Sequence, residues 1–369
     1  MLLFTGTRAS AFGMPIRCRR GLLPGLEKQG RVSGEKTAKH TTAGSGMGRT
    51  TARRLVIIEA PSNLGLMPLG DDVEPGTRHA PATLRQLGLH DRLAVERVVT
   101  VEPPAYRRDD ERRINIRNID AIADYSIRLA DAVEEAVEAG CFPLVLGGDC
   151  SILIGSMLGL ARQREAGLLY VDGHTDFYLP EQSATGGGAG MDLALVTGWG
   201  PSALTDLEGR WPYVTTRRVA ALANRDHEAG PPAPIPDIAE SGMVYRPLEQ
   251  LRAEGIEACV DVALNGIDAD REGFWIHFDV DAVDSRLMPA VDSPQADGLD
   301  WDEAAVLLTT ALKRRALGLQ VTIYDPSRDP GHVAGKALIE WLIAVSATDD
   351  RPADGRRVAQ RRRVTIRTT

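Results

Sequence analysis

The sequence predicts an α/β fold, a three-layer αβα domain on a mostly parallel, doubly wound sheet. Apolar runs typical of buried strands alternate with stretches of helical period along most of the 369 residues. Strand–helix–strand order implies parallel pairing with right-handed crossovers. Several strands end in acidic or glycine-rich turns, where such sheets carry their sites. We expect one domain over residues 54–348, between a leader at 1–53 and a tail at 349–369.

Composition limits the class of protein. The net charge of −8 and the hydrophobic fraction of 43% are typical of a globular protein in water and argue against nucleic acid as a partner. No apolar run approaches the length of a membrane span. The cysteines (Cys18, Cys141, Cys150 and Cys259) form no CxxC pair, which favours a reducing compartment and predicts a cytoplasmic protein.

Both ends of the chain differ from its body. The first fifty-odd residues are rich in Arg, Gly, Thr and Ser and have little periodicity. They indicate a transit-like segment, a disordered leader, or residues from an upstream start that precedes the real one at Met47. The far end, with its basic run at 361–363, is predicted to be a disordered tail.

The elements follow from apolar period and turn residues. In the first half, Pro61 ends the first strand and Gly140 ends the long amphipathic helix. The predicted strands there are 55–59, 95–101, 142–146 and 167–172, and the helices are 82–87, 119–139 and 152–164.

The second half begins with a glycine-rich loop at 180–200, which is too long for a plain connector and is expected to be a functional lid. Asp300 is predicted to cap a helix, with Glu303 at the capping-box position. The predicted strands there are 219–222, 243–245, 274–278 and 319–324, and the helices are 248–264, 301–316 and 335–347.

Asp172, His174 and Asp176 follow directly on an apolar strand. In an extended chain these three fall on one side, because side chains alternate with period two. They would then direct three donors at one point, which suits a divalent metal. The alternative is a surface loop with solvated acids, although uncompensated buried carboxylates are costly.

Two other strand ends offer further donors. Asp279 and Asp281 follow one strand, and Cys150 or Asp149 follows another. Converging acids need positive charge, which two divalent cations would supply. Cations about 3.5–4 Å apart can share a bridging hydroxide, a nucleophile at neutral pH. The oxygen donors favour Mn²⁺, two per chain, whereas Cys150 would favour Zn²⁺ or Fe²⁺.

Three motifs, in this order, resemble the signatures of the ureohydrolase family of arginases, agmatinases and formimidoylglutamases. They are Gly-Gly-Asp-x-Ser at 147–151, Asp-x-His-Thr-Asp at 172–176 and Phe-Asp-Val-Asp-x-x-Asp at 278–284. The resemblance covers about 54–346. It implies an arginase-like fold, a binuclear Mn²⁺ centre and a trimer or hexamer. It also implies hydrolysis of a guanidino or amidino C–N bond in a small molecule.

The resemblance also implies roles for single residues. Asp172 and Asp279 would bridge both metals, Asp176 would complete one site, and His174 with Asp281 would complete the other. Asp172 and Asp281 would act in catalysis through the metal-held hydroxide, with Asp281 helping to stabilise the tetrahedral intermediate.

Several positions depart from the family pattern. Cys150 stands where the family carries a metal-binding histidine. It is either a softer, oxidisable ligand or a small buried residue beside a weakened site. Ala189 replaces the proton-shuttle histidine of arginases, in a stretch that ends at Asp192. Tyr178 replaces an asparagine that contacts substrate. Asp192 and Tyr178 are therefore candidate substrate contacts.

Ile323 stands where the family carries a glutamate that pairs with the guanidinium. Losing that partner would cost a buried guanidinium several kcal/mol, so we expect a substrate other than arginine. Asp325 would project from the other face of the strand. Glu228 either contacts a cationic end of the substrate or is a solvated loop charge. Asp284 is expected to be structural.

Three functions remain open from the sequence. The first is a metal-dependent hydrolase of a linear amidine, guanidino or related compound such as a formimino group or an amide. The second is a zinc amidohydrolase with one metal, because Asp172, His174 and Asp279 also resemble the ligands of deacetylases that share this fold. The third is a catalytically silent paralogue with a binding or structural role.

Overall fold

The computed structural model of the chain describes residues 53–70, 73–107, 114–226 and 237–347. The predicted leader and tail lie outside these residues, except for Arg53 at the end of the leader, so both stay predictions. Glu228 also lies outside them. Among the described helices, none is long and apolar enough to cross a membrane.

A single eight-stranded sheet organises the described residues, and every neighbouring pair of its strands is parallel. The order across the sheet is β2-β1-β3-β8-β7-β4-β5-β6. This arrangement confirms the predicted α/β class. The strands are β1 Leu55–Ala60, β2 Val95–Thr100, β3 Phe142–Gly147, β4 Gly167–Val171, β5 Val219–Leu222, β6 Val244–Arg246, β7 Phe274–Asp279 and β8 Ala316–Thr322.

Helices cover both faces of the sheet, which gives the three layers. One apolar core joins the sheet to α1, α2 and α7–α11, and the other joins it to α3–α6. The helices are α1 Ala80–Gln86, α2 Leu89–Arg92, α3 Ile119–Glu138, α4 Leu153–Ala161, α5 Asp192–Val196, α6 Ser202–Thr205, α7 Leu248–Glu254, α8 Ile256–Gly266, α9 Ala269–Glu272, α10 Trp301–Leu312 and α11 Val333–Ala347.

Local sequence accounts for the principal elements. The central strands β4 and β7 are buried at every residue, as expected of parallel strands covered on both faces. In α3, Ile122, Leu129 and Val133 recur at helical spacing and are buried. Asp300 accepts a hydrogen bond from the Glu303 N–H, so the predicted capping box is confirmed.

Several predicted elements differ from the structure. The single helix expected at 248–264 is two helices, because Gly255 adopts φ 91° and ψ 125° between them. Helix α10 ends at Leu312, since β8 already begins at Ala316. The expected lid contains α5, whose five residues are all buried. The four-residue helices α2, α6 and α9 are too short for periodicity to indicate.

Candidate metal centre

The candidate centre lies at the carboxyl ends of four neighbouring strands, β3, β8, β7 and β4. Cys150 follows β3, Ile323 follows β8, Asp279 ends β7 and Asp172 follows β4. Because these strands are parallel and adjacent, their carboxyl ends meet at one edge of the sheet. Ligands bind at such edges in open α/β sheets.

The turn after β3 requires a glycine. Gly148 has φ +33°, and a Cβ there would lie 2.6 Å from the Ala60 oxygen and 2.7 Å from the Ser62 nitrogen. Asp149 supports the same turn, since it accepts hydrogen bonds from the Ser151 N–H at 2.9 Å and the Ser62 hydroxyl at 2.7 Å. Its carboxylate therefore serves the turn, and Cys150 is the residue that faces the acids.

Two groups of donor atoms form the centre, and they share Asp172. Within each group, the atoms that can bind a metal lie within 4.8 Å of one another. In the first, Cys150 Sγ lies 2.8 Å from Asp279 Oδ2. In the second, His174 Nδ1 lies 2.9 Å from Asp281 Oδ2. The groups are Cys150, Asp172, His277 and Asp279, and Asp172, His174 and Asp281.

The reason that we gave for the convergence of residues 172–176 was wrong. Strand β4 ends at Val171, so these residues do not continue as extended chain. Instead, the Asp172 carboxylate accepts the His174 N–H at 2.6 Å, and Asp176 has φ 44°. Asp226 also holds the turn by accepting the Thr175 N–H at 3.0 Å. The turn brings Asp172 and His174 into one donor group, whereas Asp176 belongs to neither group and contacts the Tyr170 hydroxyl.

Tyr170 links two further acids to the centre. Its hydroxyl lies 2.8 Å from Asp172 Oδ2, 3.2 Å from Asp176 Oδ2 and 2.9 Å from Asp192 Oδ1. A phenol donates only one proton, so its other two contacts require protons on the carboxyl groups. Burial and neighbouring carboxylates raise the pKa of Asp176 and of Asp192 well above the ordinary value, which agrees with this count.

The pKa values of the other groups in the centre are shifted as well. Burial and nearby acids raise the pKa of Cys150 and of Asp279 well above their ordinary values. Burial also opposes the charged forms of Asp172 and His174. Hydrogen bonds and charges nevertheless lower the pKa of Asp172 and raise that of His174.

This arrangement fits divalent cations. Buried acids this close hold extra protons unless a cation replaces them, and metal binding releases such protons. The buried atoms that lack a hydrogen-bond partner among the described residues include two beside the acids, namely His277 Nε2 and Asp192 Oδ2. Carboxylate oxygens with one or two imidazoles suit Mn²⁺ or Zn²⁺.

A cavity of about 300 Å³ opens above the acids. Ile323 lines it and adopts φ 70°, a strained value for a β-branched residue. Ala189 and Asp292 also line it, and Gln295 Nε2 lies 2.9 Å from His174 Nε2. Another cavity, of about 260 Å³, is lined by Leu55, Phe142, Leu144 and Leu342 at the other end of the sheet, away from the acids.

The remaining predicted residues have varied surroundings. Tyr178 is half-buried, with its hydroxyl 3.5 Å from Asp226 Oδ2. Asp192 is completely buried beneath the Tyr170 hydroxyl. Asp284 accepts hydrogen bonds from the Arg286 backbone and guanidinium, an arrangement that stabilises its turn. The substrate contacts expected of Tyr178 and Asp192 stay predictions.

Tyr170 and His277 belong to the centre but were not identified from the sequence. Each lies two residues before a predicted ligand, Asp172 or Asp279, and so faces the same side of the sheet. The register of β4 and β7 pairs Tyr170 with His277, and their rings stack at 4.5 Å between centroids. Period two from the two acids was the signal that could have identified both residues.

Comparison with known proteins gives a consistent result. The sequence matches the family described as "Arginase family" over residues 53–345. It is 29% identical to an arginase of Bacillus caldovelox over 252 residues, which cover 67% of this chain and 82% of that protein.

Two solved structures illustrate the similarity in fold. The arginase of Bacillus caldovelox superposes with a TM-score of 0.70 at 24% identity, covering 82% of this chain and all of that one. The formimidoylglutamase of Bacillus subtilis superposes with a TM-score of 0.60 at 14% identity, covering 81% of this chain and 88% of that one.

Proposed function

Because the chain belongs to the arginase family, we propose that it is a metal-dependent hydrolase of a C–N bond in a linear amidine, guanidino or related compound other than arginine. Membership of the family confirms the resemblance in the three motifs. The observation that carries the proposal is the pair of donor groups that share Asp172, four of whose members line a cavity. The arginase among the similar proteins supports the C–N bond chemistry, and the formimidoylglutamase supports a substrate other than arginine.

The proposed cofactor is a pair of Mn²⁺ ions. Asp172 would contact both, Cys150 and Asp279 would hold one, and His174 with Asp281 would hold the other. Asp279 is also proposed to contact both ions. Asp176 is proposed to complete the site that contains Cys150. When bound, the cations would lower the pKa of a water molecule and polarise the C–N carbon.

The side chains around the cavity would then orient the substrate. Asp281 lies beside His174 and accepts the Gly173 N–H at 3.1 Å, so its carboxylate is held towards the cavity. Ile323 and Ala189 offer the substrate an apolar wall. An apolar wall does not pair with the guanidinium of arginine, and it supports a formimino group, an amidine or an amide.

We also propose a homotrimer or homohexamer in the cytoplasm. Membership of the family supports the oligomer. Three cysteines in the described residues, Cys141, Cys150 and Cys259, are free and buried, which supports a reducing compartment. Light scattering coupled to size exclusion measures the oligomer, and a monomer at micromolar concentration would contradict this part of the proposal.

The alternative with one metal has one specific observation in its favour. The pKa of the Cys150 thiol is raised well above its ordinary value, mainly by burial, and its S–H donates to Asp279. A protonated thiol is not a metal ligand. On this alternative, one Zn²⁺ near His174 would support hydrolysis of an amide.

The test is elemental analysis of protein purified without chelator, reported as metal per chain. Two Mn²⁺ per chain would support the proposal, and assays of guanidino, formimino and amide compounds for urea, ammonia or formamide would then identify the substrate. One Zn²⁺ would favour the mononuclear alternative. Protein that takes up no metal from excess Mn²⁺ would overturn both, and a silent paralogue would remain.

A further inference from the structure

His277 is a buried residue of the centre to which the proposed function assigns no role. It lies on β7 two residues before Asp279 and is 0% exposed. Its Nε2 lies near the acids and has no hydrogen-bond partner among the described residues. A polar nitrogen buried in this way is costly unless it has a role in the site. That role depends on which ring nitrogen carries the proton.

A hydrogen-bond relay across the sheet decides the position of the proton. The Trp275 indole N–H can only donate, and it lies 3.0 Å from Gln320 Oε1. The amide group of Gln320 therefore faces the other way, and its Nε2 lies 2.6 Å from His277 Nδ1. An NH₂ group donates, so Nδ1 must accept. The proton of the neutral imidazole is then on Nε2, the nitrogen that faces the acids.

Tyr170 stacks on the imidazole ring of His277. The Tyr170 hydroxyl and His277 Nε2 then face the same acceptor, the Asp172 carboxylate. The rings of Tyr170 and His277 are stacked, with an interplanar angle of 4°. The Tyr170 hydroxyl lies 2.8 Å from Asp172 Oδ2, and His277 Nε2 lies 3.7 Å from the same oxygen. A small shift of the carboxylate would bring the second contact to hydrogen-bond length.

We propose that His277 is a positioning residue whose Nε2–H donates a hydrogen bond to the Asp172 carboxylate, and that it is not itself a metal ligand. The proposal rests on the proposed function in that Asp172 is taken to bind metal. Metal binding by Nε2 would place the proton on Nδ1, where it would meet the donating amide of Gln320. Ligating histidines instead direct their second N–H at an acceptor. With two donors at Oδ2 and the His174 N–H at Oδ1, the Asp172 carboxylate keeps one orientation between the two donor groups.

Three variants test this role through Mn²⁺ affinity, measured by titration calorimetry. His277→Phe keeps a ring against Tyr170 but removes the donor, and it should weaken Kd by about 10–100-fold. His277→Gln keeps an N–H donor near the Nε2 position and should retain most of the affinity. His90→Phe is the matched control, because His90 is a buried histidine that pairs with Glu59 away from the centre, and it should leave Kd unchanged.

Two measurements on the unmodified sequence do not depend on the folding of any variant. In protein with ¹⁵N-labelled histidines and bound Mn²⁺, pulsed electron paramagnetic resonance should detect coupling to one histidine, His174. Long-range ¹H–¹⁵N correlation spectra of the seven histidines report the tautomer even without metal, and one buried ring should show its proton on Nε2. Through-space contacts between that ring and the stacked ring of Tyr170 would assign it to His277.

The outcomes separate this proposal from the proposed function. Coupling to two histidines, a proton on Nδ1, or an unchanged Kd in His277→Phe would each overturn the role of His277 and leave the metal centre intact. Failure of the unmodified protein to bind Mn²⁺ would overturn the proposed function. The tautomer spectrum would then still decide whether His277 donates towards Asp172.

Discussion

Asp172 is the residue on which the centre depends, because both donor groups contain it. Its Oδ1 accepts the His174 N–H and its Oδ2 accepts the Tyr170 hydroxyl. Complete burial of a carboxylate is otherwise costly, and here donors and charges on several sides compensate for it. Loss of this one side chain would therefore affect both metal binding and folding.

Asp172→Ala should abolish metal binding and lower the free energy of unfolding by about 1–3 kcal/mol, because buried donors lose their acceptor. Equilibrium dialysis followed by elemental analysis, together with urea unfolding, measures both effects. The control is Asp124→Ala, whose side chain is 65% exposed and pairs only with Arg128 among the described residues. We expect that change to stay within about 0.5 kcal/mol. Full metal content in Asp172→Ala would contradict the ligand assignment.

Cys150→Ser should shift metal preference from Zn²⁺ towards Mn²⁺ by roughly an order of magnitude in the ratio of the two Kd values, since a hydroxyl is a harder donor than a thiolate. Competition titrations with both ions measure the ratio. Cys259→Ser changes a buried cysteine on α8 and should leave the ratio as it was. An equal ratio in Cys150→Ser and the unmodified protein would indicate that Cys150 stays a thiol beside the metals.

Some residues of the centre could be predicted from the sequence and others could not. The meeting of donors from different strands was predictable, because the carboxyl ends of neighbouring parallel strands lie at one edge of the sheet. His277 and Tyr170 were not identified, because their roles depend on the register between β4 and β7 and on Gln320 of β8. The role of Cys150 depends on its distance from Asp279, which spacing along the chain does not give.

At the scale of elements, the ends of the strands position the residues of the centre. Asp279 caps the turn after β7 by accepting the Asp281 N–H at 2.7 Å, as Asp149 does after β3. Carboxylates at strand ends thus shape the turns that present the donors. Elements far from the centre are ended by backbone conformation instead, most clearly at Gly255.

Gly255→Ala should lower the free energy of unfolding by about 1–3 kcal/mol, because φ 91° is unfavourable for a residue with a Cβ. A Cβ at Gly255 would meet no atom within 4 Å, so the cost comes from the backbone alone. Gly70→Ala is the control, since its Cβ would also meet nothing within 4 Å and its φ lies outside the left-handed region. Chemical denaturation of both variants tests this, and equal stabilities would refute the strain at Gly255.

Most strands and long helices were predictable to within about two residues, since buried parallel strands and amphipathic helices have clear patterns. The exceptions have local causes. Strand β8 begins at Ala316 rather than 319, because its first residues are only half-buried and lack a strong apolar signal. The break at Gly255 was missed because both flanking helices continue the same apolar period.

At the scale of the whole molecule, the buried acids link metal binding to stability. Asp176, Asp192 and Asp279 have raised pKa values, so the folded chain holds protons that the unfolded chain has lost near neutral pH. Bound cations would replace these protons. These three acids therefore favour folding at lower pH when metal is absent and at higher pH when metal is bound.

Protein stripped of metal should lose stability as pH rises from about 5 to 8, because the folded state binds more protons than the unfolded state over that range. The raised pKa of His174 acts in the same direction. Acids with lowered pKa values, such as Glu59, contribute only below about pH 5. With saturating Mn²⁺ the trend should reverse. Scanning calorimetry at both pH values measures this, and a higher Tm at pH 8 in chelator would contradict it.

The strand order has a consequence for the time at which the centre forms. Strand β8 is the last of the described strands along the chain, yet it lies between β3 and β7 and joins β2-β1-β3 to β7-β4-β5-β6. During synthesis, the ribosome must therefore release residue 322 before Cys150, which follows β3, can join the acids that follow β4 and β7. Strands β4 and β7 pair directly, so the donor group of Asp172, His174 and Asp281 can form without β8. The donor group that contains Cys150 is therefore the one that is completed last.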